Sequence, residues 1–494
     1  MKTITTGRLR VTFAAITLLA LSGCDENPTD LPDGGAMGEP DGGPADGGQS
    51  DGGADGGEQA TLMAGPDQRV EGRTRVTLTA TTNVPSPSFT WSFAATPSES
   101  LLSDADIMDA TTASPSFTPD VIGTYTLSVS VGALSDTVSV VADHIWQPLG
   151  LAGFSAGGAS RLSMALAPDG TPYVSFVDGA EASKATVMRF DDATETWLPV
   201  GAAGFSDGAA YTHSMAIAAD GTPYLAYQDA TASFRIRVQK FTSGTWSTVG
   251  GTTVSGETAG EPFLTIATDG TPYVAYLPLA VFSFDGTPAT WNRVGGSSLT
   301  VTSGDRPAIA VDPSGAPVIA FYDESNGGKL TVSRYDRGAG TWTSVGSAGF
   351  SAGEAGSPWL AIAPDGTPYV AYVDAANGYR VAVMRYDDAS TTWSLVGGAA
   401  ASASSAARSK LAIAPSGIPY VAFQDQDHQS EVTVKRYDAA SMTWQAVGGA
   451  RFSPGTTDDI GFAIAPDGTP YVAYVDTAHG NRLTVERLTS LPIP

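Results

Sequence analysis

Leu360-Ala361-Ile362-Ala363-Pro364-Asp365-Gly366 opens a unit that continues through Tyr369-Val370-Ala371-Tyr372-Val373-Asp374 and Arg380-Val381-Ala382-Val383-Met384-Arg385-Tyr386 to Thr392-Trp393-Ser394-Leu395-Val396-Gly397. Each segment is short, rich in β-branched and aromatic residues, and bounded by turn residues, so the unit reads as four strands. Pro364-Asp365-Gly366 supplies a tight hairpin, with Gly366 taking the positive φ. The unit recurs. Trp146, Trp197, Trp246, Trp291, Trp342, Trp393 and Trp444 are spaced by 51, 49, 45, 51, 51 and 51 residues, and Pro172, Pro223, Pro272, Pro317, Pro368, Pro419 and Pro470 keep the same steps.

Four strands repeating at that period predict an all-β, seven-bladed β-propeller over residues 144–494. Along the first strand a large residue (Met164, Met215, Leu264, Ile309, Leu360, Leu411, Phe462) is followed by a small one (Ala165, Ala216, Thr265, Ala310, Ala361, Ala412, Ala463). Large side chains of one blade are expected to meet small ones of the next near the axis. The last repeat ends before a tryptophan strand, and the missing strand stands at the front as Ile145-Trp146-Gln147-Pro148-Leu149-Gly150. Pairing the two closes the ring and removes an exposed edge. The spacing from Tyr386-Asp387 to Trp393, repeated at Tyr335-Asp336 to Trp342 and Tyr437-Asp438 to Trp444, resembles a kelch repeat. An Asp stands where kelch repeats carry a Gly-Gly pair. The loops before each Trp, as in Asp388-Ala389-Ser390-Thr391-Thr392-Trp393, resemble sialidase Asp-boxes more faintly, since the serine and glycine positions do not hold.

Upstream, residues 59–143 read as a small antiparallel β-sandwich. Ala64-Gly65-Pro66-Asp67, Phe89-Thr90-Trp91-Ser92-Phe93 and Phe117-Thr118-Pro119-Asp120-Val121-Ile122-Gly123-Thr124-Tyr125 together resemble a PKD-type, immunoglobulin-like domain. The resemblance implies Trp91 in the core, Tyr125 at a corner with its hydroxyl on backbone, and a spacer role. Residues 24–58 carry five Asp-Gly-Gly triplets and ten acids without Lys or Arg. Such a segment reads as a flexible acidic tether of roughly 30 Å reach. Residues 1–23 read as an export signal: Lys2, Arg8 and Arg10, then an apolar run too short to span a membrane. It ends at Leu21-Ser22-Gly23-Cys24, which resembles the bacterial lipobox and implies lipidation of Cys24, the chain's one cysteine. The expected address is the bacterial cell envelope, lipid-anchored to the inner or outer membrane.

The formal net charge of −25 argues against nucleic acid as partner. No phosphate loop, nucleophile elbow or His-Glu-x-x-His helix occurs, and no metal or cofactor is expected. Asp178, Asp229, Asp323, Asp374, Asp425 and Asp476 recur at the end of the second strand. Repetition in nearly every blade favours turn aspartates bonding backbone N–H groups over a ring of cation ligands. Positions that differ between repeats are better candidates. Eight residues before each hairpin turn stand Arg161, Thr212, Glu261, Arg306, Ser357, Arg408 and Asp459, expected to ring the channel mouth. Arg161, Arg306 and Arg408 offer forked hydrogen bonds to an anionic group, with Glu261 and Asp459 completing the candidate ligand site or neutralising it. His428 and His479, beside Asp425, Asp427 and Asp476, are loop histidines for which solvation is the plainer reading. The third repeat lacks its second-strand Asp and the following loop, which predicts a notch lined by Glu261 and Arg306. These features point to a binding or scaffold lipoprotein with a glycan or protein ligand. An enzyme acting on acidic glycans or cell-wall polymers at the same mouth is the alternative.

Overall fold

The computed structural model describes residues 59–490 except Arg73, Glu99, Pro288, Ser297, Ser298 and residues 300–306. The export signal, Cys24, the acidic tether and Arg306 therefore lie outside the described residues. The described chain is all-β, with only three-residue 3-10 turns besides strands.

Residues 159–490, together with His144–Pro148, form seven four-stranded antiparallel sheets. We number them blades I to VII by their first strands: Ala159–Leu166, Ala210–Ile217, Gly260–Ile266, Ala308–Val311, Ala355–Ile362, Ala406–Ile413 and Thr457–Ile464. Each first strand packs against the next, and that of blade VII packs against that of blade I, so the order is cyclic. This is a β-propeller. Blade VII takes its fourth strand from the front of the region: His144–Pro148 pairs with Arg482–Ser490, bringing Trp146 opposite Leu488.

The large and small positions interlock as their chemistry requires. Met215 packs with Ala165, Leu264 with Ala216, Leu360 with Ala310, Leu411 with Ala361 and Phe462 with Ala412. In each pair the large side chain comes from the later blade. Further out, each of the seven periodic tryptophans locks two blades. The indole N–H of Trp146, Trp197, Trp246, Trp291, Trp342, Trp393 and Trp444 donates to a backbone carbonyl of the preceding blade at 2.7–3.1 Å. The acceptor is always the residue just before a glycine at positive φ, such as Val249 before Gly250 (φ +77°). A Cβ on Gly250 would lie 2.8 Å from the Trp291 ring, so the close approach itself requires glycine.

A second latch escaped the sequence reading. The hydroxyls of Ser155, Ser206, Ser255, Ser351, Ser402 and Ser453 accept from third-strand N–H groups of the preceding blade at 2.9–3.1 Å. Its signal was the Phe-Ser pair that recurs in four of the loops leading into a first strand, at Phe154, Phe205, Phe350 and Phe452. All four of those phenylalanines, Phe154, Phe205, Phe350 and Phe452, stack on Trp197, Trp246, Trp393 and Trp146 within 4.2–4.6 Å.

Residues 59–143 form a separate small β unit. One sheet runs Gln68–Val70, Leu134–Ala142, Gly123–Val131, Thr90–Ala95, and two strand pairs complete it. Trp91, Tyr125, Leu127 and Phe117 share one core. The Tyr125 hydroxyl accepts from the N–H groups of Asp120 and Val121 and has the Asp120 carboxylate, at 2.7 Å, and the Val121 carbonyl, at 2.9 Å, as alternative acceptors for its one proton, the corner its position implied. This unit meets the propeller at the closure seam: the Gly72 N–H donates to the His144 carbonyl, and Gly72 lies against the Gly448 backbone.

Candidate functional site

The end of each second strand pairs with the start of the first, as Asp178 does with Ala159, so the two sets of candidate residues lie at one end of the ring. There the second-strand aspartates are structural. Asp178, Asp229, Asp323, Asp374 and Asp476 are buried, and each accepts from the N–H two residues on at 2.9–3.1 Å. That bond caps a single 3-10 turn, which ends on a left-handed residue. The second carboxylate oxygen takes the hydroxyl of Thr186, Thr331 or Thr484 in blades I, IV and VII, and the Arg237 Nε at 2.7 Å in blade II. Burial pushes the Asp229 carboxyl up, but bonds from Thr231 and Arg237 outweigh it and hold it below the ordinary carboxylate range. Asp425 departs from the pattern, taking the Ser404 hydroxyl and His428 instead. His428 and His479 each pair with the aspartate of their own turn, at 3.0 and 2.7 Å. Among the described residues no group of three or more His, Cys, Asp or Glu is placed to hold a metal ion.

The variable positions have a geometry that alternation did not foretell. The fifth repeat suggested a first strand starting at Leu360, whereas it starts at Ala355. The reason is a β-bulge. In blades I, II, III, V, VI and VII the register slips just where Arg161, Thr212, Glu261, Ser357, Arg408 and Asp459 stand. A bulge breaks the period of two, so the segment before it does not read as strand. Arg161, Glu261, Ser357 and Arg408 have φ of +57°, +50°, +49° and +51°. Left-handed backbone costs a non-glycine residue about 1 kcal/mol or more, and such residues concentrate at functional sites.

Asp459, nearly buried, joins three blades: Arg408 Nη1 lies 3.3 Å from its Oδ1, and its Oδ2 accepts the Leu162 N–H at 3.0 Å. The Arg408 charge is thus partly neutralised within the ring. Arg161 is exposed. Two residues further along the first strands, Trp359 meets Phe263 edge-on at 4.9 Å, with Lys410 Nζ 3.9 Å over the Trp359 ring. The mouth thus has an aromatic floor. Arg408 and Lys410 stand on blade VI, Asp459 on blade VII and Arg161 on blade I, while Glu261 stands on blade III. Blade III is cut down as expected, its second and third strands, Pro272–Leu277 and Ala280–Gly286, being joined by two residues.

At the opposite end, a crevice of about 540 Å³ opens between blades I and II beside Tyr173, Arg189, Asp220 and Phe241. A counterpart of about 250 Å³ between blades VII and I is lined by Tyr471, Arg487 and Asp467. Its recurrence with the repeat marks it as a product of blade splay.

No protein-family model and no curated protein matches this chain. Among solved structures it is similar to YCF48 bound to D1 peptide, at 15% identity and TM-score 0.48, covering 71% of this chain and 97% of that one. A polysaccharide lyase PL25, an ulvan lyase bound to -[GlcA(1-4)Rha3S]-, shows 10% identity and TM-score 0.48 over 68% of this chain and 94% of its own. A protein of unknown function from Dyadobacter fermentans shows 13% identity and TM-score 0.42 over 71% and 98%. The fold assignment rests on the sheet topology described above.

Proposed function

We propose that this chain is a lipid-anchored binding module of the bacterial cell envelope. In this reading Cys24 carries the lipid, residues 24–58 are the tether, a PKD-type domain over residues 59–143 is the spacer, and a kelch-like seven-bladed propeller presents its mouth to a ligand. One observation carries the binding assignment. The repeated polar residues are consumed by capping and latching, whereas the non-repeating Arg161, Glu261, Ser357 and Arg408 are held in left-handed backbone at the mouth. Arg306 belongs to the same set by its place in the repeat.

The test is an array of glycans and peptides probed with the full chain, followed by Arg161→Ala, Glu261→Ala, Arg306→Ala and Arg408→Ala on any hit. Loss of binding in at least two variants that keep the wild-type melting curve supports the mouth. Binding that survives all four, or turnover of a glycan, overturns the reading. For the anchor, a palmitate analogue should label the wild type and leave Cys24→Ala unlabelled and soluble. Equal labelling refutes it.

A further inference from the structure

Two aromatic rings stand side by side in solvent on blade II. Tyr211, at the start of the first strand of blade II, is 50% exposed, and Phe234, at the end of that blade's turn, is 42% exposed. Their centroids are 5.4 Å apart and the planes meet at 49°, so the pair forms an open V. In the equivalent place to Tyr211 the other described blades have Ser160, Gly260, Gly356, Ala407 and Asp458. In that of Phe234 they have Ser183, Gly328, Tyr379, Ser430 and Asn481. Phe234 has φ +57°, the left-handed backbone that Ser183, Gly328, Tyr379, Ser430 and Asn481 share at this place in the turn.

The platform is held rigidly. The Phe234 carbonyl accepts the Ala259 N–H at 3.0 Å, and the Ser233 carbonyl accepts the Thr258 hydroxyl at 3.0 Å. The Gln228 amide donates to the Ala259 carbonyl at 2.8 Å. These bonds fix the segment entering blade III against the turn of blade II. Blade III carries only a two-residue turn at this end, Pro278-Leu279, so its notch lies beside the platform. Tyr211 also directly precedes Thr212 in the bulge of blade II, which makes the platform continuous with the mouth.

We propose that Tyr211 and Phe234 are a stacking platform for a neutral pyranose chain, which runs from the mouth outward over the notch. The inference rests on the binding-module reading and names its ligand class. Two half-exposed rings offer about 200 Å² of apolar surface. A stable protein partner requires about 800 Å² per side, so the patch is too small for that occupant. It suits the C–H face of one or two sugar rings. The uncharged neighbours Ser233, Thr258 and Gly260 offer hydroxyl and backbone groups, and the acidic chain repels a polyanion.

The experiment is calorimetric titration of the full chain with hexasaccharides of β-1,4-glucan, β-1,3-glucan, β-1,4-xylan, β-1,4-mannan and α-1,4-glucan. At least one should bind, with an affinity changing less than twofold between 0.05 and 0.5 M NaCl. Tyr211→Ala and Phe234→Ser should each weaken it tenfold or more with an unchanged melting curve. Phe234→Tyr and Tyr379→Ala, the latter on blade V, should stay within twofold. Binding by no hexasaccharide overturns the proposal, as does binding within twofold of wild type in the Tyr211→Ala/Phe234→Ser double variant. A ligand lost on Arg161→Ala and Arg408→Ala but kept in that double variant leaves the mouth standing and removes the platform.

Discussion

Gly250→Ala isolates the contact that joins one blade to the next. The φ of +77° costs an alanine about 1–2 kcal/mol. Its Cβ would also lie 2.8 Å from Trp291 Cδ1 and 2.9 Å from Nε1. The ring cannot simply retreat, because its N–H is bonded at 3.0 Å to the carbonyl of Val249, the residue next to the substitution. Overpacking of this kind costs about 1–3 kcal/mol, and stretching the bond forfeits about 1 kcal/mol more. Gly251 is the internal control: φ is +83°, yet a Cβ there meets nothing within 4 Å. Gly251→Ala should therefore lose only the backbone share, and Gly250→Ala about 2–4 kcal/mol beyond it. Urea denaturation of both variants, followed by tryptophan fluorescence at equal slope, measures the difference. Trp291→Leu should remove most of the penalty when combined with Gly250→Ala, giving a coupling of about 1–3 kcal/mol. Equal losses at the two glycines, or strict additivity with Trp291→Leu, would refute the latch.

At the closure seam, Trp146 is buried and its N–H bonds the Val447 carbonyl at 2.8 Å. Trp146→Phe strands that carbonyl and should cost about 1–3 kcal/mol in urea, more than Trp342→Phe, whose indole is part-exposed. Asp323 gives a pH signature. Burial pushes its carboxyl up, but bonds from Thr331, Asn326 and Ser325 outweigh this and hold it below its ordinary value. Its stabilisation is therefore present above about pH 4, the unfolded pKa, and is lost as pH falls through the lower folded value. Melting temperatures of Asp323→Asn from pH 7 to 2.5 should start lower and fall less steeply below pH 4 than wild type; parallel curves would exclude it. In the small β unit, Tyr125→Phe should speed amide exchange at Asp120 and Val121 tenfold or more, and unchanged exchange would show that the corner does not depend on the hydroxyl.

The propeller was legible in the sequence because its constraints are local or periodic. Alternation, the Asp-Gly hairpins and the recurrent Trp each follow from a strand, a turn or a blade-to-blade contact repeated around a ring, so one unit reports on all. The orphan strand carrying Trp146 was legible for the same reason, as the one piece missing from an otherwise complete period. The Trp91 core and the Tyr125 corner carried through for a related reason, since each is satisfied within a few strands of the same unit.

What the mouth looks like was decided by tertiary structure. Whether Arg408 faces a ligand or Asp459 depends on how blades VI and VII are rotated about the axis, and no spacing along the chain encodes that angle. The bulges at Arg161, Glu261 and Ser357 hid the beginnings of the first strands, because two residues opposite one destroy the alternation by which strands are recognised. Tyr211 and Phe234 lie 23 residues apart and look like ordinary strand aromatics in the sequence. Only the folded blade, with its neighbour's turn cut to two residues, leaves both rings in solvent and side by side.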